Sequence, residues 1–128
     1  MAVNKMMPIL IVDDYKTMLR IVRGLLNQIG FNNVDEATDG TTAHSMIQQK
    51  PYGLIISDWN MEPMSGYELL KKIRSDEKTK TLPFIMVTAE SKTDNVIAAK
   101  QAGVSNYIVK PFNAETLKMK IEAVFGPI

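Results

Sequence analysis

The sequence predicts an α/β fold: a doubly wound (βα)5 domain in which five strands form one parallel sheet between two layers of helices. Three observations carry this. Short apolar runs recur along the 128 residues, with amphipathic stretches between them. Three of the five runs are almost continuously apolar, as strands covered on both faces must be. No internal repeat, low-complexity tract or linker interrupts the alternation, so residues 1–128 are expected to form a single domain.

The elements follow in order. Ile9-Leu10-Ile11-Val12 is the first predicted strand, and the helix after it places Met18, Val22, Leu25 and Ile29 on one apolar stripe, with Gly30 as its stop. Val34-Asp35-Glu36-Ala37 is the second strand, followed by a helix from near Gly40 that ends before Pro51. Leu54-Ile55-Ile56-Ser57 is the third, and its helix carries Leu69, Leu70 and Ile73. Phe84-Ile85-Met86-Val87 is the fourth, followed by a helix from about Lys92 to Ala102 with Gly103 as its stop. Tyr107-Ile108-Val109 is the fifth, and after it Asn113 is a good N-cap for a helix with Leu117, Ile121 and Val124 on one face.

Composition narrows the function classes. The net charge is +1, from 15 Lys plus Arg against 14 Asp plus Glu, so no global field favours nucleic acid or an anionic membrane. The longest apolar runs fall far short of the roughly 20 residues that cross a bilayer. The first apolar stretch runs into Asp13 and Asp14 before any small-residue cleavage site, unlike a secretory leader. The absence of cysteine fits a reducing cytoplasm, the expected location.

The polar residues are informative because of where they fall on the strands. Asp13 and Asp14 end the first strand, Asp58 the third, Thr88 the fourth and Lys110 the fifth. In an open α/β sheet, ligands bind beyond the carboxyl ends of the strands, where these five side chains would converge. Taken singly, each has a plain explanation: Asp14 as a helix cap, Lys110 as a solvated lysine, Thr88 as a strand-end hydroxyl. Taken together they do not. Three carboxylates repel by about 4 kcal/mol per pair at 4 Å and an effective dielectric of 20, so they call for a counter-charge. Mg²⁺ suits hard oxygen ligands, whereas one histidine and no cysteine argue against zinc or copper. Three carboxylates, one Mg²⁺ and the Lys110 ammonium sum to zero, leaving a site able to accept a phosphoryl group. Asp58, alone at its strand end, is the expected nucleophile, since carboxylates form acyl phosphates.

Five segments, Val12-Asp13-Asp14, Phe31-Asn32-Asn33-Val34, Asp58-Trp59-Asn60-Met61, Val87-Thr88-Ala89-Glu90 and Tyr107-Ile108-Val109-Lys110-Pro111-Phe112, resemble the response-regulator receiver domain family, and its stand-alone chemotaxis type most of all. The resemblance covers nearly the whole chain and implies a flavodoxin-like strand order of 2-1-3-4-5. It implies Asp58 as phosphoacceptor, and Mg²⁺ held by Asp13, Asp14, Asp58 and the backbone carbonyl of Asn60. Thr88, the backbone N–H of Ala89 and Lys110 would contact the phosphoryl group, and Tyr107 would follow Thr88 in a switch that repacks the face of helix 4, strand 5 and helix 5. Asn60 and Glu90 would tune dephosphorylation, and the Lys110-Pro111 bond would be cis. The implied partners are a chemotaxis-type histidine kinase as donor, a phosphatase, and the flagellar motor switch protein FliM or another target protein. The implied protein is a monomeric signalling switch with no attached output domain, catalysing only its own phosphorylation and dephosphorylation. A phosphate sink or phosphorelay intermediate would share the same site.

The chain departs from that family at Glu62, where a proline usually stands, with Pro63 following. A carboxylate there is expected to perturb Mg²⁺ affinity or the loop. Two rival classes fit less well. A haloacid-dehalogenase-type phosphatase needs a second aspartate two residues after the nucleophile, where this chain has Asn60. A flavodoxin needs a Ser/Thr/Gly phosphate loop after the first strand, where this chain has Asp13-Asp14-Tyr15.

Overall fold

The computed structural model describes residues 4–88 and 93–127, with backbone alone at residues 93 and 94. The elements alternate as β1 (Ile9–Val12), α1 (Lys16–Ile29), β2 (Val34–Ala37), α2 (Gly40–Gln49), β3 (Leu54–Asp58), α3 (Gly66–Ser75), β4 (Phe84–Thr88), α4 (Thr93–Gln101), β5 (Asn106–Val109) and α5 (Ala114–Phe125). All pairings are parallel, and the sheet order is β2-β1-β3-β4-β5. Composition explains the place of four of the strands. β1, β3 and β4 carry the almost continuously apolar runs, and they occupy the centre, buried at every residue. β2 carries Asp35 and Glu36 in its middle and therefore lies at an edge, where polar side chains reach water.

The helices close over both faces. Gly30 ends α1 at φ 114° and Gly103 follows α4 at φ 92°, a left-handed backbone that favours glycine. Asp39 and Asn113 cap α2 and α5 by accepting from the N–H groups of Thr42 and Thr116. α3 begins with a reciprocal capping box between Ser65 and Glu68.

The sheet divides the core in two. On one side Ile9, Ile11, Leu54, Ile56, Ile85 and Val87 pack with α1 and α5; on the other Leu10, Val12, Ile55, Phe84 and Met86 pack with α2 and α3. The stripe expected on α1 faces the core, and Leu19 and Leu26 widen it. Leu19, Val22, Leu26 and Ile29 are the buried residues, while Met18 and Leu25 flank them half-buried. Six apolar residues span an arc wider than one four-residue stripe, and packing against the sheet selects its middle. The expected start of α4 at Lys92 lies outside the described residues.

Candidate functional site

Parallel register brings the ends of all five strands to one rim. Val12 pairs with Ala37 and Ser57, Asp58 with Val87, and Thr88 with Val109. Three further backbone bonds extend the ladder past the strands: Asp13 N–H to Ala37 O at 3.1 Å, Trp59 N–H to Val87 O at 2.9 Å, and Lys110 N–H to Thr88 O at 2.8 Å. The functional side chains thus stand on hydrogen-bonded backbone rather than on loose loops.

The three acids meet there. Asp13 is 5% exposed and Asp58 7%, Asp14 is open to solvent, and one carboxylate oxygen from each lies within 4.8 Å of the others. The Lys110 ammonium reaches in from the fifth strand end, 2.9 Å from Asp58 Oδ1 and 3.5 Å from Asp13 Oδ2. Burial raises the pKa of the Asp13 carboxyl, with the Asp58 charge adding to it, even though Oδ1 accepts the Tyr15 N–H at 2.9 Å. For Lys110, burial works to lower the pKa, but the hydrogen bond and charge of Asp58 and the charge of Asp13 outweigh it and raise it, so the ammonium stays protonated.

Asp14 is not the cap of α1. The N-cap position is Tyr15, without a side-chain cap bond, and Asp14 makes no hydrogen bond or ion pair among the described residues. The simple structural explanation of that acid is therefore removed, and an exposed carboxylate with no protein partner remains beside two nearly buried ones. Hard oxygen donors on one rim, open on the Asp14 side, fit a divalent cation that keeps part of its water shell.

Around this centre, Thr88 is buried at the end of β4 and Tyr107 is half-buried on β5, packed against the α2 and α3 side of the core. Trp59 stacks on Tyr67, with ring centres 5.2 Å apart and planes 11° from parallel. Asn60 is exposed in the loop after β3. The Lys110–Pro111 peptide is cis, and so is Glu62–Pro63. Ala89 and Glu90 lie outside the described residues.

Two residues that the sequence reading passed over hold the Asp58 backbone. The buried Ser57 hydroxyl donates to the Asp58 carbonyl at 3.0 Å. Gly66, whose N–H donates to Trp59 O at 2.9 Å, opens α3 so close to the Asp58 carbonyl that any Cβ would overlap it. The sequence held one signal for the second: a glycine at a helix start, just after a ready-made cap at Ser65.

The comparisons with known proteins agree with this geometry. The Response regulator receiver domain description matches residues 9–122. The chain belongs to the receiver domain family. Chemotaxis protein CheY-3 of Vibrio cholerae is 54% identical over 122 residues, which is 95% of this chain and 94% of that protein. Among solved structures, chemotaxis response regulator CheY4 of Vibrio cholerae matches with a TM-score of 0.85 at 34% identity, covering 93% of this chain and 98% of that one. The receiver domain of a sensor histidine kinase from Pseudomonas aeruginosa, solved with a magnesium ion in its active-site cleft, matches with a TM-score of 0.85 at 26% identity, covering 94% and 98%. The present receiver is thus of the CheY type, a phosphorylation-dependent signalling protein of two-component systems and not a classical enzyme. Among its described residues, no helix is long and apolar enough to cross a membrane.

Proposed function

We propose that Asp58 accepts a phosphoryl group from a chemotaxis-type histidine kinase, and that the resulting change of surface is read by another protein. The observation that carries this reading is the Lys110 ammonium 2.9 Å from Asp58 Oδ1, beside three acids whose oxygens approach within 4.8 Å. Asp13, Asp14, Asp58 and the Asn60 carbonyl are the groups that would hold Mg²⁺. When bound, the ion supplies positive charge that offsets the carboxylates and the oxygens of the incoming phosphoryl group.

The chain's own groups do the rest. An Asp58 carboxylate oxygen attacks phosphorus, the phosphorus–nitrogen bond to the donor histidine breaks, and the imidazole leaves with the bonding electrons. Lys110, held protonated by its acidic neighbours, moves from pairing with the carboxylate to pairing with a phosphoryl oxygen. Thr88 and the N–H of Ala89 would donate to the other oxygens. Drawing the Thr88 hydroxyl toward the phosphoryl group would free space for Tyr107, and thereby bias the face made by α4, β5 and α5. Asn60 and Glu90 would set how readily water reaches the acyl phosphate, with a phosphatase as a further partner.

The similarity to chemotaxis proteins favours the flagellar motor switch protein FliM as the reader. Incubation with radiolabelled phospho-kinase and Mg²⁺ should label the wild type and leave Asp58→Asn unlabelled; equal labelling would overturn the site. An N-terminal FliM peptide should bind more tightly once beryllofluoride occupies Asp58. Unchanged affinity would put the phosphate-sink or relay role ahead.

A further inference from the structure

Beside the acidic centre runs an open groove of about 370 Å³, lined by Asp14, Trp59, Asn60, Met61, Glu62 and Ser65. Asp14 belongs both to this groove and to the three-acid cluster, so the groove adjoins the cluster that holds the phosphoacceptor. Its charge is one-sided. Both ionisable lining residues, Asp14 and Glu62, are acids, and among the described residues no lysine or arginine lines the groove. Glu62 is exposed and has neither a hydrogen bond nor an ion pair among the described residues. The Ser65 hydroxyl is committed to the α3 capping box, and the Lys110 ammonium to Asp58 and Asp13. A carboxylate in the groove beside the acidic centre, exposed to water and salt, acts on any charged molecule that enters the groove.

Resting on the assignment of Asp58 as phosphoacceptor, we infer that Glu62 makes this receiver selective among small phosphodonors by their charge, disfavouring dianions against monoanions. Acetyl phosphate and phosphoramidate differ in this respect. With the first, the Asp58 oxygen forms a bond to phosphorus, the bond to the acetyl oxygen breaks, and acetate leaves carrying the negative charge. With the second, the same bond forms, the phosphorus–nitrogen bond breaks, and the already protonated nitrogen leaves as neutral ammonia. Acetyl phosphate enters as a dianion and phosphoramidate, with its protonated nitrogen, as a monoanion. Glu62 therefore opposes the first more than the second.

The test is the ratio of initial phosphorylation rates with the two donors, at saturating Mg²⁺ and fixed ionic strength, read by Trp59 fluorescence and confirmed by intact mass. A ratio cancels any effect of Glu62 on metal occupancy or on Asp58 itself. In Glu62→Gln the acetyl phosphate to phosphoramidate ratio should rise by about threefold, and in Glu62→Lys by about tenfold. Glu77→Gln, in the turn after α3 at the far end of the sheet, should leave the ratio at the wild-type value. An unchanged ratio in both Glu62 variants, or an equal loss with both donors, would overturn the inference while leaving the phosphoacceptor intact. Labelling that persists in Asp58→Asn would instead overturn the assignment on which the inference rests.

Discussion

The Lys110 ammonium lies 2.9 Å from Asp58 and 3.5 Å from Asp13, a single cation between two nearly buried acids. Replacing it with an apolar group of similar length leaves both carboxylates without their counter-charge. Lys110→Met should therefore destabilise the metal-free protein by about 1–3 kcal/mol, short of the loss for a fully buried pair because the lysine side chain is 26% exposed. Urea unfolding in EDTA measures this. Saturating Mg²⁺ should recover most of the loss.

Asp13 makes the opposite case. Its pKa is raised, chiefly by burial and then by Asp58, so its ionised form is disfavoured in the fold even with Lys110 nearby. The sign follows: stability from this group is greatest below the ordinary carboxylate range and falls as pH rises through it to the raised folded value. Asp13→Asn keeps an acceptor for the Tyr15 N–H and removes the charge. At neutral pH in EDTA the variant should be more stable than the wild type by about 1 kcal/mol. Mg²⁺ should erase the difference, because only the wild type gains strongly from the ion.

Asp35 has a lowered pKa, held down first by the Lys50 ammonium at 2.9 Å and then by the Tyr52 hydroxyl, which donates at 2.7 Å. Its contribution is present above the unfolded carboxylate value and is lost as pH falls through the lower folded value. Both charged partners are partly exposed, so the effect should be about 0.5–1 kcal/mol. Asp35→Asn should be less stable than the wild type at pH 7, and the two should converge toward roughly pH 3. Thermal melts across that range check it.

Arg74 gathers three segments into one knot. Its Nε donates to Gly103 O at 2.8 Å, Nη1 to Leu82 O at 2.6 Å, and Nη2 to Ser105 Oγ at 3.4 Å, while that hydroxyl accepts the Phe84 N–H at 3.0 Å. Arg74→Met should lower stability by about 1–3 kcal/mol, because it orphans the Gly103 carbonyl in the turn from α4 to β5 and the Leu82 carbonyl just before β4. Amide exchange at Gly103 and Ser105 should quicken more than exchange in α1.

Much of the fold was legible because the nearly continuous apolar runs became the central strands and Val34-Asp35-Glu36-Ala37 an edge, whereas the apolar Tyr107-Ile108-Val109 also lies at an edge and its place came from the family resemblance. The rim was legible for a related reason. A parallel sheet carries every strand's end to the same side, so Asp13, Asp58, Thr88 and Lys110 could be brought together without knowing the strand order. The supports were not legible. Ser57 and Gly66 act on a backbone carbonyl that no sequence pattern marks, and Arg74 finds its acceptors 8 to 31 residues away. Asp14 was ambiguous for a local reason, since any acid just before a helix resembles a cap until the backbone is seen.

The divided core gives the molecule two mechanical addresses. The pocket under Asp13 and Asp58 is walled mostly from the α1 and α5 side, by Ile11, Met18, Leu19, Val22, Ile56 and Val87, with Val12 joining from the other half. Tyr107 and Trp59 press on the opposite half. A methyl group lost beneath α1 will be felt by the acids, and one lost beneath α3 by the aromatics. The five-stranded sheet is thus a bulkhead, and the two compartments can drift apart in sequence while sharing one wall.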